Sequence, residues 1–329
     1  MTPHDYQTMV EQLRQLARQA LQLYGLDENA AIELLSHSEN TMFRIATPKG
    51  ERWVLRVHRP DYHTSNAIRS ELAWMAALNA AGIATPRVVK GVNGDALQEL
   101  RSPDLGLRRV SLFDWISGSC PDESRLEPSM RELGMLSARM HAQARTWDRP
   151  AYFERPEWDF AGILGPDAHW GPWDRSPDLS ARQTELLQTV TRLIDARLQA
   201  YGRDSSRYGL IHADQRLANL LLDGDIFHII DFDDCGLGWF LHDLAAALSF
   251  IEHKPECPRL IAQWLDGYGR HGTLSAQEVA EIPTFIMQRR LQLLAWRASH
   301  AETELAQSLK SDWVDATAHM GRDYLARMG

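Results

Sequence analysis

The texture of the sequence changes at Gly118, and that change restricts the folds open to the chain more than any other feature. Before it lie short β-like runs: AIELLS (31–36), MFRIAT (42–47), RWVLRVH (52–58) and RRVSLFDWI (108–116). Pro48-Lys49-Gly50 supplies turn residues between the second and third, and Asn93-Gly94-Asp95 carries a strong hairpin signal. Two helices interrupt this material. One spans 5–25, with Met9, Val10, Leu13, Leu16, Ala17, Ala20 and Leu21 forming a 3.6-period stripe; the other spans 65–81 and ends at Gly82. Beyond Gly118, helical patterns dominate at 127–147, 180–201, 239–252, 258–270, 276–301 and 311–327. A Trp- and Pro-rich connector (147–179, with Trp147, Trp158, Trp170 and Trp173) interrupts them, and the only strand-like material there is 208–231. The expected architecture is α+β: a small antiparallel β lobe over 1–116 and a larger helical lobe over 117–329. A length of 329 residues supports two cores better than one. Such a lobe–hinge–lobe chain has a cleft, and clefts are where ligands bind.

Charge narrows the partners. The net charge is −9, yet residues 1–110 hold 13 Lys+Arg against 12 Asp+Glu, which leaves 22 against 32 for the rest. An acidic C-terminal portion argues against nucleic acid. It reads first as a solvated acidic surface and second as an attraction for a cationic ligand. No apolar run approaches the roughly 18 residues of a membrane helix, and the start, MTPHDYQTMVEQL, has no apolar signal region. Three cysteines without metal spacing (Cys120, Cys235, Cys257) are expected to be reduced thiols in a cytoplasmic protein.

The densest chemistry is His212-Ala-Asp214-Gln-Arg-Leu-Ala-Asn219, placed directly after the apolar run 208–211. Two short strands follow, joined at Asp223-Gly224-Asp225 and ending at Asp231. A hairpin brings its two ends together, so Asp214, Asn219 and Asp231 should converge. Carboxylate and amide oxygens are hard ligands suited to Mg²⁺. A further carboxylate beside the metal can take a proton from a hydroxyl. Metal ligands, a base and a cationic clamp are the parts of phosphoryl transfer. Taken singly, Asp214 is equally a turn or cap aspartate, His212 a packed scaffold residue, and Asp234 a cap.

HxDxxxxN followed by Ile229-Ile-Asp-Phe-Asp233 resembles the catalytic loop and metal motif of the aminoglycoside phosphotransferase family, which includes choline and homoserine kinases. The resemblance runs along most of the chain and implies the two-lobed protein-kinase fold, ATP and Mg²⁺. It makes Asp214 the catalytic base, with Asn219 and Asp231 holding the metal and Asp233 adding to it. Asp243 resembles the aspartate that steadies the loop. In the β lobe a G-x-G-x-x-G loop is absent, and Ser36–Thr41 stands in its place, with Ser38 and Asn40 meeting phosphate oxygens. Arg56 takes the position of the phosphate-binding lysine, Glu71 that of its ion-pair partner. Asp114, Trp115 and Ile116 correspond to the hinge strand, whose backbone meets adenine.

The family's usual loop runs H-G-D-x-H-x-x-N; here Ala213 replaces the glycine and Arg216 the second histidine. Alanine should fit unless the site needs φ > 0, and Arg216 contacts the transferred group or shapes the acceptor pocket. The acceptor is expected to be a small-molecule hydroxyl compound: an aminoglycoside, an amino alcohol, homoserine or a sugar. Its pocket should come from the connector and the helices after 239. Asp159, Asp167, Glu252 and Glu302 are candidate partners for an ammonium group, and the connector's tryptophans either cage an amine or pack the lobe. Other readings share these residues. One is a stress-response-type Ser/Thr protein kinase of the same family, although the twelve residues from Asp231 to Asp243 leave no room for a long activation loop. Another is a catalytically degenerate nucleotide-binding regulator. A metal-dependent hydrolase would require histidine ligands that the cluster lacks.

Overall fold

A computed structural model describes residues 3–329; the first two residues of the expected N-terminal lobe lie outside it. The fold is mixed α+β, of the protein-kinase-like kind. Its residues separate into two compact units, Met1–Gly118 with Asp148–Glu154, and Ser119–Trp147 with Arg155–Gly329. Part of the expected connector, 148–154, therefore belongs with the first unit.

The first unit opens with α1 (Pro3–Leu23), then β1 (Ala31–His37), β2 (Thr41–Ala46), β3 (Arg52–Val57), α2 (Ser65–Ala80), β4 (Val88–Val89), β5 (Leu97–Ser102) and β6 (Gly106–Asp114). The sheet runs β1-β2-β3-β6-β4, with β5 also pairing β6. β2 alternates buried and half-buried positions, as a strand with one covered face must. Its Phe43 and Ile45 join Leu55, Val57, Val110 and Leu112 beneath the α1 stripe of Leu13, Leu16, Ala17, Ala20 and Leu21. Each of the larger side chains contributes roughly 1.5–3 kcal/mol on burial and each alanine methyl about 0.8 kcal/mol, so the α1 periodicity is what closes this core. The Asn93-Gly94 signal does mark a turn, yet not between paired strands: β4 and β5 each pair with β6, and the hairpin lies at 103–105. Thr64 caps α2 by accepting from the Ala67 N–H.

The second unit comprises α3 (Leu126–Thr146), β7 (Glu157–Trp158), α4 (Phe160–Leu164), α5 (Ala181–Tyr201), β8 (Tyr208–Ile211), β9 (Leu220–Asp223), β10 (Ile226–Ile229), β11 (Gly236–Trp239), α6 (Leu241–Ala247), α7 (Cys257–Tyr268), α8 (Ala276–Ser299), α9 (Glu304–Ser308) and α10 (Ser311–Met328). Two expectations are corrected here. β7 and β11 add strands outside 208–231, making a small sheet β7-β11-β8. The helix expected over 239–252 is shorter, because Trp239 ends β11 and α6 stops at Ala247. Capping boxes at Ser180–Gln183 and Ser275–Glu278 start α5 and α8. α8 is buried nearly all round, so Gln288, Arg289, Arg290 and Gln292 lie inside together with Phe285, Leu291 and Leu294. Among the described residues no helix is long and apolar enough to cross a membrane.

Candidate active site

β8 delivers the chain to the loop 212–219, and β9 and β10 bring it back. The β9–β10 hairpin turns at Gly224 (φ 60°) and pairs Leu220 with Ile229. The ladder extends one residue further, where the Ile230 N–H donates to the Asn219 carbonyl at 2.9 Å. Asp231 is the next residue, so the backbone brings it beside Asn219. Asp231 adopts φ 64°, a left-handed conformation that aspartate tolerates better than most residues. The Asn219 amide nitrogen donates to Asp214 twice, to the carbonyl at 2.8 Å and to Oδ2 at 2.9 Å. An amide that turns its nitrogen to Asp214 turns its oxygen elsewhere.

The Asp214 carboxylate receives charged donors on both oxygens. Arg216 Nε lies 3.1 Å from Oδ2, and Arg289 Nη2 lies 2.8 Å from Oδ1. Burial alone would raise the carboxyl's pKa, but Arg216 and Arg289 outweigh it and hold the group below the ordinary aspartate value. Arg289 escaped the sequence reading. It stands in α8, 75 residues from Asp214, and also donates to Ser249 Oγ at 3.0 Å and Gln292 Oε1 at 3.0 Å. The available signal was Gln288-Arg289-Arg290 set in mid-helix among apolar residues, where polar groups need partners. The Arg289 guanidinium also lies 5.2 Å from the Trp170 ring, and that of Arg216 lies 5.8 Å from Phe250. Phe250 has φ 72°, an outlier for a bulky residue, and its ring packs against Trp296.

Two buried groups hold the loop in shape. Asp243, at the start of α6, accepts from the Ala213 N–H at 2.8 Å, the His212 N–H at 3.2 Å and His141 Nε2 at 2.9 Å. Burial pushes its carboxyl up, while these bonds pull it further down, below the usual carboxylate range. His212 Nε2 sits 3.0 Å from the Ile230 carbonyl, which can only accept, so Nε2 carries the proton and Nδ1 faces the Asp214 N–H. His212 is therefore a brace. Ala213 does occupy φ 68°, the one condition under which alanine was expected to fit poorly. A left-handed alanine costs roughly 1–2 kcal/mol, while its buried methyl returns about 0.8 kcal/mol. Ala213→Gly is accordingly expected to change the midpoint of thermal unfolding little, or raise it slightly, with activity kept. Ala213→Val should lower both, and a valine variant that melts like the parent would contradict the assigned backbone.

In the first unit, Arg56 Nη2 and Glu71 Oε1 form an ion pair at 2.5 Å, with both side chains buried. Ser38 is exposed, whereas Asn40 is buried and its Oδ1 accepts from the Arg59 N–H at 3.0 Å, bracing the turn. At the end of β6, the Asp114 N–H donates to the Arg87 carbonyl at 2.9 Å and the Trp115 N–H to the Arg52 carbonyl at 3.4 Å. Ile116 follows, half-buried.

Oxygen donors are what the loop 212–219 and Asp231 could offer a cation. Among the described residues no group of three His, Cys, Asp or Glu could hold an ion. The donor set that fits a hard cation is the Asn219 amide oxygen with the Asp231 carboxylate. Asp233 is buried two residues on, and its carbonyl is gripped by Arg155. Two of the carboxylates considered for an ammonium group serve the scaffold. Asp159 caps α4 and pairs with Arg203, while Glu252 pairs with buried Arg290 at 2.8 Å. Trp158 and Trp173 are buried packing; Trp170 is half-buried.

The model of the family described as the phosphotransferase enzyme family matches residues 31–281. Amicoumacin kinase of Bacillus subtilis (strain 168) is 23% identical over 289 residues, covering 84% of this chain and 82% of that protein. A homoserine kinase of Methylobacillus glycogenes is 28% identical over 240 residues, 70% of this chain and 67% of its own length. The solved structure of a microcompartment-associated aminopropanol kinase aligns with TM-score 0.87 at 35% identity, covering 95% of this chain and 97% of that one. An amicoumacin kinase solved in complex with AMP-PNP, Ca²⁺ and Ami aligns with TM-score 0.75 at 20% identity, over 94% and 92%.

Proposed function

Because the chain belongs to the phosphotransferase enzyme family and is a small-molecule kinase, we propose that it moves the γ-phosphoryl of ATP to the hydroxyl of a short amino alcohol. The carrying observation is the likeness to the aminopropanol kinase, 35% identical over 95% of this chain. The acidic balance of the C-terminal portion suits an acceptor with an ammonium group.

The residues divide the work as follows. Asp214 Oδ2 takes the acceptor's hydroxyl proton as the acceptor oxygen bonds to the γ-phosphorus. The bond from that phosphorus to the bridging oxygen breaks, and its electron pair leaves on ADP. Asn219 and Asp231 would hold Mg²⁺, with Asp233 the further carboxylate of the motif. When bound, the ion neutralises charge on the phosphate oxygens. Arg56, fixed by Glu71, contacts phosphate oxygens as a fork. Ser38 and the backbone of its turn meet the phosphates, with Asn40 keeping the turn in shape. Among Asp114, Trp115 and Ile116, the two N–H groups already bonded leave the adenine contact chiefly to Ile116.

An ATP-consumption assay over 1-amino-2-propanol, choline, homoserine, an aminoglycoside and a serine peptide tests the acceptor. The expected result is the highest kcat/KM for the amino alcohols. If only the peptide is labelled, or homoserine or the aminoglycoside leads, the amino-alcohol reading is wrong.

A further inference from the structure

Asp214 is held by two arginines that differ in kind. Arg289 is almost wholly enclosed: its side chain is 2% exposed, and its three nitrogens bond Ser249, Gln292 and Asp214. The Trp170 ring closes over it at 5.2 Å. A guanidinium tied at three points cannot swing without breaking several bonds at once. Arg216 is 30% exposed and donates to Asp214 through Nε alone. Its guanidinium rests near Phe250, at 5.8 Å, so it can leave Oδ2 by rotation about its own side chain.

The two carboxylate oxygens are therefore unequal. Oδ1 faces a rigid cation on α8, while Oδ2 faces Arg216 and the Asn219 amide. We propose that Arg289 is a positioning residue of the transfer reaction: it pins Asp214 Oδ1 so that Oδ2 is the oxygen presented to the acceptor hydroxyl. This rests on the reading of Asp214 as the base. Arg289 touches neither acceptor nor nucleotide in this role and acts through Asp214. Ser249 and Gln292 are parts of the same device, because they set the plane of the guanidinium.

The consequence is a split between turnover and binding. A carboxylate that can rotate presents its oxygen less often to a hydroxyl at reacting distance, and misplacement by about 1 Å costs on the order of 100-fold in rate. Arg289→Met fills the same space without the fork and is expected to lower kcat per folded molecule roughly 10- to 100-fold, with the KM for ATP changed less than about threefold. Arg289→Lys keeps the charge but cannot bond Asp214, Ser249 and Gln292 together, so its loss should be intermediate. Circular dichroism and thermal melts define the folded fraction. If Arg289→Met does not fold, Arg289→Lys and the double variant Ser249→Ala/Gln292→Leu, which retain the buried cation, carry the test, each with a reduced kcat at unchanged KM for ATP. A folded Arg289→Lys and Ser249→Ala/Gln292→Leu within twofold of the parent kcat, alongside an inactive Asp214→Asn, would overturn the proposal. An active Asp214→Asn would instead remove the base assignment beneath it.

Discussion

Asp214→Asn is expected to lower kcat by roughly 10²–10⁴-fold, the usual contribution of a general base, while the protein remains folded. The amide has nearly the same volume and keeps one acceptor oxygen, enough for Arg289 or for Arg216 with Asn219 but not for both. What vanishes is the basic carboxylate that would take the hydroxyl proton, since an amide oxygen is too weakly basic to accept it. Asn219 Nδ2 and Arg216 Nε both approach Oδ2, at 2.9 and 3.1 Å, and an amide nitrogen at that place would meet donors on both sides. The variant's amide should therefore settle with its oxygen towards one set of donors and lose the other, costing about 1–3 kcal/mol of stability. Asp214→Ala would be a poorer probe, because it leaves buried Arg289 uncompensated, a change worth roughly 3–5 kcal/mol. The measurement is ADP release at saturating ATP and acceptor, beside a thermal melt. A kcat within a few-fold of the parent would refute the base assignment.

Asp243→Ala should be the most damaging single change to the second unit. The carboxylate is fully buried and accepts from the His212 and Ala213 N–H groups and from His141. Its removal leaves three buried donors without acceptors, each costing about 1–3 kcal/mol, so the total loss is on the order of 3–9 kcal/mol. It also frees Ala213 from its left-handed conformation, because the bonds to Asp243 are what offset that strain. Turnover should fall with stability, since the same loop carries Asp214. Urea unfolding followed by tryptophan fluorescence measures the first effect; a two-domain chain calls for comparing midpoints rather than a single extrapolated free energy. Asp243→Asn, which retains an acceptor, should lie between. Equal midpoints for parent and alanine variant would show that the loop does not depend on Asp243.

Most helices were legible because their cause is local. The α1 stripe repeats every 3.6 residues, and the capping residues Ser180 and Ser275 announce the helices they start. Misreadings arose where pairing is non-local. Gly236-Leu-Gly-Trp239 has little strand propensity, yet it lies between β7 and β8, and a Cβ at Gly236 would fall 2.4 Å from the Pro156 carbonyl. Glycine serves the close approach of the neighbouring chain there, a fact that no pattern within the four residues can carry. Asn93-Gly94 does reverse the chain, but the strands on either side of it both pair with β6 and not with each other. Turn chemistry specifies a reversal and says nothing about which strand lies alongside.

The same division runs through the site. The closeness of Asp214, Asn219 and Asp231 follows from sequence alone, because a hairpin of two four-residue strands connects them and its turn residues are local. Tertiary structure decided what those groups experience. Arg289 reaches Asp214 from 75 residues away, and Asp243 reaches Ala213 from 30. Both contacts depend on how α6 and α8 pack, and buried charge adopts whatever partner packing supplies. Short-range connectivity brings the proposed base, Asp214, together with the oxygens of Asn219 and Asp231. Long-range packing set the orientation of the Asp214 carboxylate, its charge state and the left-handed turn before it.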